Sequence, residues 1–156
     1  MTNFECMWKL QSFNTLTNKE LYMILKLRSE VFVVEQTCVY QDIDGLDETS
    51  LHLYFIDEEY ITVYARILPP NISYKGYSSI GRVLVNKTHR KLGLGHQLIQ
   101  KAITYLKDNY AKYPIKIGAQ LYLKKFYESH GFVQIGEDYI EDGIPHIHMI
   151  LKFHFE

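Results

Sequence analysis

Cysteine is scarce in these 156 residues: Cys6 and Cys38 cannot build a disulfide framework, so a reducing compartment is the expectation. Long apolar runs are missing, since none approaches the roughly 18 residues a membrane-spanning helix requires. The start, Met1-Thr2-Asn3-Phe4-Glu5, has neither the basic residues nor the apolar run of a signal peptide, which points to a cytoplasmic chain. An excess of either charge is also absent. Seventeen Lys and Arg against eighteen Asp and Glu leave a formal net charge of −1, and nucleic-acid surfaces normally show a basic excess. Neither nucleic acid nor membrane is therefore an expected partner. No internal repeat, low-complexity tract or linker divides the chain. Its length suits one domain with a real core, over residues 1–156. Thirteen tyrosines are conspicuous but point to no shared role.

What is present is organised around residues 80–99. Ile80-Gly81-Arg82-Val83-Leu84-Val85 is β-branched and apolar and reads as a buried strand. Leu94, Leu98, Ala102 and Leu106 recur at helical spacing and predict a helix to about Tyr110. Between them lies a basic loop with two glycines, Gly93 and Gly95. A strand feeding such a loop into a helix forms an anion cradle: the first helical N–H groups lack acceptors, and the helix dipole favours negative charge there. Arg90 and Lys91 add positive charge. The loop lacks the Gly-Lys-Ser/Thr of a nucleotide-triphosphate site, since His96 and Gln97 follow Gly95. It also lacks the third glycine of a dinucleotide fingerprint, where Leu98 stands. What remains is Arg-x-x-Gly-x-Gly, at Arg90, Gly93 and Gly95.

Around this core the chain reads as β-α-β-β-β-α-β-α-β-β. A first strand spans Phe4 to Leu10. Thr17 and Glu20 form a capping box for a helix carrying Leu21, Ile24, Leu25, Arg28, Val31 and Phe32. Residues 35–50 form a loop with Asp42, Asp44, Asp47 and Glu48, either a solvated surface or a platform for a cationic amine. A calcium loop starting at Asp42 fails, because its twelfth position is Leu53 rather than glutamate. Residues 51–56 and 60–68 form a hairpin, ended by Pro69-Pro70. Ile115–Gln120 is a strand, Leu121–His130 a helix stopped by Gly131, and residues 132–139 and 146–153 the last two strands. The strand–helix–strand passage implies one parallel neighbour pair within a mixed sheet. His146 and His148 share a strand face, but two histidines without a third ligand make a poor zinc case, and no metal is expected.

Residues 82–95 resemble the coenzyme A loop of the GNAT N-acetyltransferases. Phe126-Tyr127-Glu128-Ser129-His130-Gly131-Phe132 is similar to the Phe-Tyr-Glu-x-x-Gly-Phe element of that family. Arg28-Ser29-Glu30-Val31-Phe32-Val33-Val34-Glu35-Gln36, Tyr40–Gly45, Gly118-Ala119-Gln120 and Glu141-Asp142-Gly143-Ile144-Pro145-His146 extend the resemblance, to the ElaA-type branch, over nearly the whole chain.

The resemblance implies an α/β (α+β) GNAT acyl-CoA N-acyltransferase fold, with a mixed central sheet splayed at the cofactor site and helices on both faces. It implies acetyl transfer from acetyl-CoA to an amine of a small molecule or peptide. The loop backbone, with Arg90, Lys91, Gly93, Leu94, Gly95 and His96, would hold the pyrophosphate. Val83 and Val85 would pair with the pantetheine arm, and Gln120 would stand at its outer contacts. Tyr127 would protonate the departing thiolate, as its reference pKa near 10 allows. Two departures stand out: Gln120 replaces a frequent asparagine and Leu123 a frequent alanine. The strand over 81–85 carries no carboxylate, which leaves Glu35 and His146 as candidate bases for the amine, or a chain of waters. Acyl-homoserine-lactone synthases share an Arg-x-x-Val-Phe pattern like Arg28–Phe32, but the intact Arg90-Gly93-Gly95 signature argues against that chemistry. A non-catalytic acyl-CoA-binding module is the alternative from another class, disfavoured by the retained Tyr127. A second copy of the chain is a candidate partner.

Overall fold

The structure is a computed structural model that describes residues 6–155. Phe4 and Glu5 of the expected first strand lie outside the described residues, and strand β1 runs Met7–Ser12. Helix α1 (Asn18–Arg28) opens on the expected capping box. The Glu20 N–H donates to Thr17 Oγ1 at 3.1 Å, and the Thr17 N–H donates to Glu20 Oε2 at 2.9 Å. The helix then widens into a π-helical segment, Ser29–Glu35. Such wide turns are uncommon and concentrate at functional sites.

Strands β2 (Leu51–Asp57), β3 (Tyr60–Leu68) and β4 (Ser79–Val85) join β1 in an antiparallel sheet of order β1-β2-β3-β4. Helix α2 (Leu94–Tyr110), strand β5 (Ile115–Gln120) and helix α3 (Lys124–Glu128) follow. The hairpin of β6 (Val133–Glu141) and β7 (Ile144–Leu151) completes a second antiparallel sheet of order β5-β7-β6. The helix expected over 121–130 is shorter: residues 121–123 form a 3₁₀ turn, and α3 ends at Glu128.

Alternation along β3 decides which helix covers which face. Val63, Ala65 and Ile67 pack with Leu98, Ile99, Ala102 and Leu106 of α2. Tyr64 packs with Ile24 and Leu27 of α1 on the other side, joined by Ile61, whose phase is changed by the register shift opposite Phe55 and Ile56. The expected parallel pair is reduced to one bridge between Ser78 and Ile115, where the Ser78 N–H donates to Pro114 O and the Lys116 N–H to Ser78 O. Past that bridge the two sheets separate, so β4 keeps an unpaired edge.

The acidic loop is not a solvated surface in its main part. Asp42 and Asp47 are buried, while Glu48 stays exposed. Arg28, fully buried, donates to Asp42 at 2.9 Å and Asp47 at 2.6 Å. Arg66 bonds Asp44 at 2.7 Å and Asp47 at 3.1 Å, and Arg82 bonds Asp42 at 2.8 Å and Asp44 at 3.3 Å. Three cations thus face three anions. The cause is the placement of Arg28 on the apolar stripe of α1 and of Arg66 in the buried strand β3: a guanidinium taken out of water requires carboxylates beside it.

Strand β4 carries a bulge. Tyr64 faces Leu84 and Arg66 faces Gly81, so Arg82 and Val83 together oppose Ala65. Arg82 sits at φ 51°, the left-handed region that costs a residue with a Cβ about 1–2 kcal/mol. The bulge shifts the side-chain phase, and Ile80 and Val83, three residues apart, both reach the α2 face.

Candidate active site

The separation of β4 from β5 leaves a cleft of about 800 Å³. One wall is residues 80–85 of β4, and the other is Gly118, Ala119 and Gln120 of β5 with Phe126 and Tyr127. The segment Val31–Gln41 and the β6–β7 hairpin tip close its ends.

The exposed edge of β4 supplies backbone groups. The Asn86 N–H donates to Thr62 O on β3 at 2.7 Å. Strand alternation then turns the Val85 and Val83 backbone groups away from β3, toward the cleft. Arg90 Nε donates to Val85 O at 3.1 Å, consistent with that direction.

The loop after β4 reaches α2 through Gly93 at φ 77°, and no side chain caps the helix. Gln97 is the first residue whose N–H finds a carbonyl in the helix, at Gly93 O. The Leu94, Gly95 and His96 N–H groups are therefore the free donors of the helix start. The two glycines differ in what they allow. A Cβ at Gly93 would meet nothing within 4 Å, so the left-handed φ alone calls for glycine there. Gly95 lines the cleft, and a Cβ there would lie 3.6 Å from Val85 Cγ2 and 3.7 Å from the Phe126 ring. A side chain at Gly95, unlike one at Gly93, would therefore enter the cleft.

The remaining candidates divide clearly. Lys91, at φ 68°, and Gly93 are exposed in the loop outside the cleft lining. The side chain of Arg90 is engaged by the Glu35 carboxylate, Nη2 to Oε2 at 2.9 Å. That hydrogen bond, with burial opposing it, holds the Glu35 carboxyl below its ordinary value, so Glu35 is a poor proton acceptor at neutral pH. Gln120 donates to Gln36 across the cleft end at 3.1 Å. His96 turns outward, with Nδ1 2.9 Å from His130 Nε2 and its ring against Phe126.

Tyr127 is buried at 5% exposure and lines the cleft, packed edge-on between Phe126 and Phe132. Burial pushes its phenol above the usual range, so the group carries its proton at neutral pH. His146 also lines the cleft. Its Nδ1 is 2.7 Å from Ile144 O, and a carbonyl only accepts, so Nδ1 carries the proton. The other ring nitrogen, Nε2, lies 3.6 Å from Glu141 Oε2.

Sequence reading did not anticipate Phe32, Gln36, Tyr40, Tyr122 or Arg82 as cleft residues. The signal available for Arg82 was a cation inside an apolar strand. The others left no signal, because a π-helical segment, the loop after it and the 3₁₀ turn after β5 bring them to the cleft.

These groups fit an extended, amide-bearing ligand with a diphosphate at one end. The β4 edge offers backbone partners to the amides, and the uncapped α2 start offers N–H donors to the phosphates.

The architecture matches solved structures along nearly its whole length. An acyl-CoA N-acyltransferase from Pseudomonas aeruginosa superposes with a TM-score of 0.88 at 40% identity, covering 94% of this chain and 99% of that one. Escherichia coli ElaA superposes at 0.87 with 38% identity and the same coverage. The fold is that of the GNAT acyltransferases. A family profile described as an acetyltransferase (GNAT) domain matches residues 14–153. In sequence, E. coli ElaA is 40% identical over 144 residues, 91% of this chain and 94% of that protein. A UPF0039 protein of Synechocystis sp. is 39% identical over 149 residues, 95% of this chain and 96% of that protein. The chain belongs to the GNAT acetyltransferase family, in the branch that holds ElaA and the UPF0039 proteins. None of its described helices is long and apolar enough to cross a membrane.

Proposed function

We propose that the protein transfers an acetyl group from acetyl-CoA to a primary amine of a small molecule or peptide. The observation that carries this reading is the juxtaposition in one cleft of the unpaired β4 edge, the buried Tyr127 and the Nε2 acceptor of His146. In this reading the α2 start and the Lys91–His96 backbone bind the diphosphate, while Val83 and Val85 hold the pantetheine amides. The Val83 N–H donates to the thioester oxygen as charge builds there. His146 Nε2 takes the proton lost by the amine, the carbon–nitrogen bond forms, the carbon–sulfur bond breaks, and Tyr127 gives its proton to the thiolate. Glu35 serves to fix Arg90 across the cleft mouth. A cytoplasmic setting goes with this reading, and both cysteines, Cys6 and Cys38, are free.

The direct test is acetyl-CoA turnover, read as thiol release, against polyamines, aryl-alkylamines, amino acids and peptides. Acceptor-dependent release is expected. Tight coenzyme binding without turnover on any amine would favour a binding module instead.

The loop is tested separately. Gly95→Val places branched methyls in the cleft and is expected to weaken coenzyme A binding by about tenfold or more, a loss of at least ~1.4 kcal/mol by calorimetry. Gly93→Ala keeps the cleft open but forces a Cβ into the left-handed region, so its main effect is a stability loss of about 1 kcal/mol. Equal affinity in wild type and Gly95→Val would remove the helix start from coenzyme binding.

A further inference from the structure

The second sheet has a polar face that the core does not use. Ile147 and Met149 of β7 and Ile117 and Ala119 of β5 pack into the α2 core, so His146, His148, Gly118 and Gln120 share the opposite face. Their register forms two rows, Gln120 beside His146 and Gly118 beside His148. Strand β6 completes the first row irregularly. Ile135 faces His148, so regular pairing would bring Glu137 opposite His146. A register shift between Ile135 and Tyr139 brings Tyr139 there instead.

Tyr139 lies across β7 rather than standing off it. Its ring is stacked on His146, with centroids 5.7 Å apart and planes at 28°, and on His148 at 4.6 Å and 25°. The hydroxyl ends above β5. A Cβ built on Gly118 would lie 2.8 Å from the Tyr139 hydroxyl and 3.4 Å from that of Tyr74. Gly118 has no left-handed φ, so backbone conformation does not call for glycine there. The space taken by the Tyr139 hydroxyl does. Burial, with the Glu141 carboxylate beside it, pushes the Tyr139 phenol up to about 12, so it keeps its proton near neutrality. What the residue offers His146 is a surface.

That surface matters because the outer torsion of a histidine side chain is soft, with broad wells related by a turn of the ring. One contact, Nδ1 to Ile144 O at 2.7 Å, fixes one edge of His146. The stacked tyrosine blocks one face. Edge and face together define the plane of the ring, and with it where each nitrogen points.

We propose that Tyr139 is a positioning residue for acyl transfer: seated above Gly118, it holds the His146 imidazole with Nδ1 on Ile144 O and Nε2 as the nitrogen that takes the proton of the amine. The inference rests on the acetyl-transfer reading with His146 as the base. It goes beyond that reading, since Tyr139 lies outside the cleft lining and acts only through His146. It also gives Gly118 its reason: a side chain there would lift Tyr139 off the two histidines.

The test lifts the ring and then lets it back. Gly118→Ala drives a Cβ into the hydroxyl and is expected to lower kcat by about tenfold, with the Kd for coenzyme A changed by less than about threefold. Adding Tyr139→Phe removes the hydroxyl and keeps the ring, so the double variant is expected to recover at least about fivefold of that loss. These two variants differ by one oxygen atom, which keeps their comparison clear of any loss of fold. Tyr139→Ala removes the ring and is expected to lower kcat at least as far as Gly118→Ala does. Nitrogen-15 NMR of the His146 ring, in mildly alkaline buffer, supplies a readout independent of turnover. A dominant tautomer protonated at Nδ1 is expected in wild type and in the double variant, and a mixture of tautomers in Gly118→Ala and Tyr139→Ala. A loss in Gly118→Ala that Tyr139→Phe fails to recover would overturn the proposal, since Gly118 would then act on the ligand directly. Unchanged kcat or an unchanged His146 spectrum in Tyr139→Ala would overturn it as well. If wild type transfers to no amine while the spectra change as expected, the acetyl-transfer reading fails and the hold of Tyr139 on His146 stands.

Discussion

Tyr127→Phe is expected to slow acceptor-dependent thiol release by about a hundredfold while leaving coenzyme A affinity within about twofold, the size of effect that loss of a positioned general acid brings. The phenylalanine ring retains the edge-on packing against Phe126 and Phe132, so the fold has little reason to respond. What disappears is one proton, held at neutral pH by a phenol that burial keeps from ionising. A thiolate expelled into this cleft without that proton would be a poorly solvated anion. Stopped-flow thiol release together with calorimetric coenzyme titration separates the two quantities. Unchanged turnover in the variant would remove Tyr127 from the reaction, and a parallel loss of coenzyme affinity would make it a binding residue.

The largest expected stability effect belongs to Arg28→Ala. Arg28 is fully buried and donates to both Asp42 and Asp47, so its removal strands two carboxylates that keep their other partners only in part. Breaking a buried ion pair from one side costs about 3–5 kcal/mol, measurable as a lowered midpoint in urea unfolding. Arg28→Met should lose nearly as much, since charge and not volume is what goes missing. A loss under about 1 kcal/mol in Arg28→Ala, the size typical of exposed pairs, would show that the network contributes no more than a surface ion pair.

The same network sets the acid response. Burial alone would raise the Asp44 and Asp47 carboxyls, but the hydrogen bonds and charges of Arg66 and Arg28 outweigh it and hold both below their ordinary value. Lowered carboxyl pKa values mean that the unfolded chain binds more protons in that range. The stability they contribute is therefore complete above the ordinary carboxylate range and declines as pH falls below it. Arg28→Ala should flatten this decline.

How much of this was legible in the residues alone varies with the distance between partners. Thr17 and Glu20 meet as their spacing demands, because both ends of the capping box lie within one helical turn. The Gly93 cap and the α2 stripe follow from short-range geometry in the same way. The acidic loop was misread for the opposite reason. Asp42, Asp44 and Asp47 are near neighbours in sequence and look like a repelling, solvated patch, and nothing local shows that Arg66 and Arg82 arrive from strands beyond them. Arg28 on an apolar helix face was the available clue, since a cation there requires buried carboxylates.

Candidate bases separate along the same line. Glu35 and His146 are equally plausible as residue types. Only the fold couples Glu35 to Arg90, 55 positions away, and turns His146 Nδ1 onto Ile144 O, with Nε2 toward Glu141 at 3.6 Å. By itself the sequence determined the order of elements, the glycine-bearing loop between β4 and α2 and the family, because each depends on spacing within a few turns of chain. Tertiary structure alone decided the bulge at Arg82 and the clamp from Asp42 and Asp44. The reason is physical: those features depend on which distant side chains and strand edges are packed into reach of one another, and a hydrogen bond or ion pair has no strength until packing brings its two ends within about 3 Å.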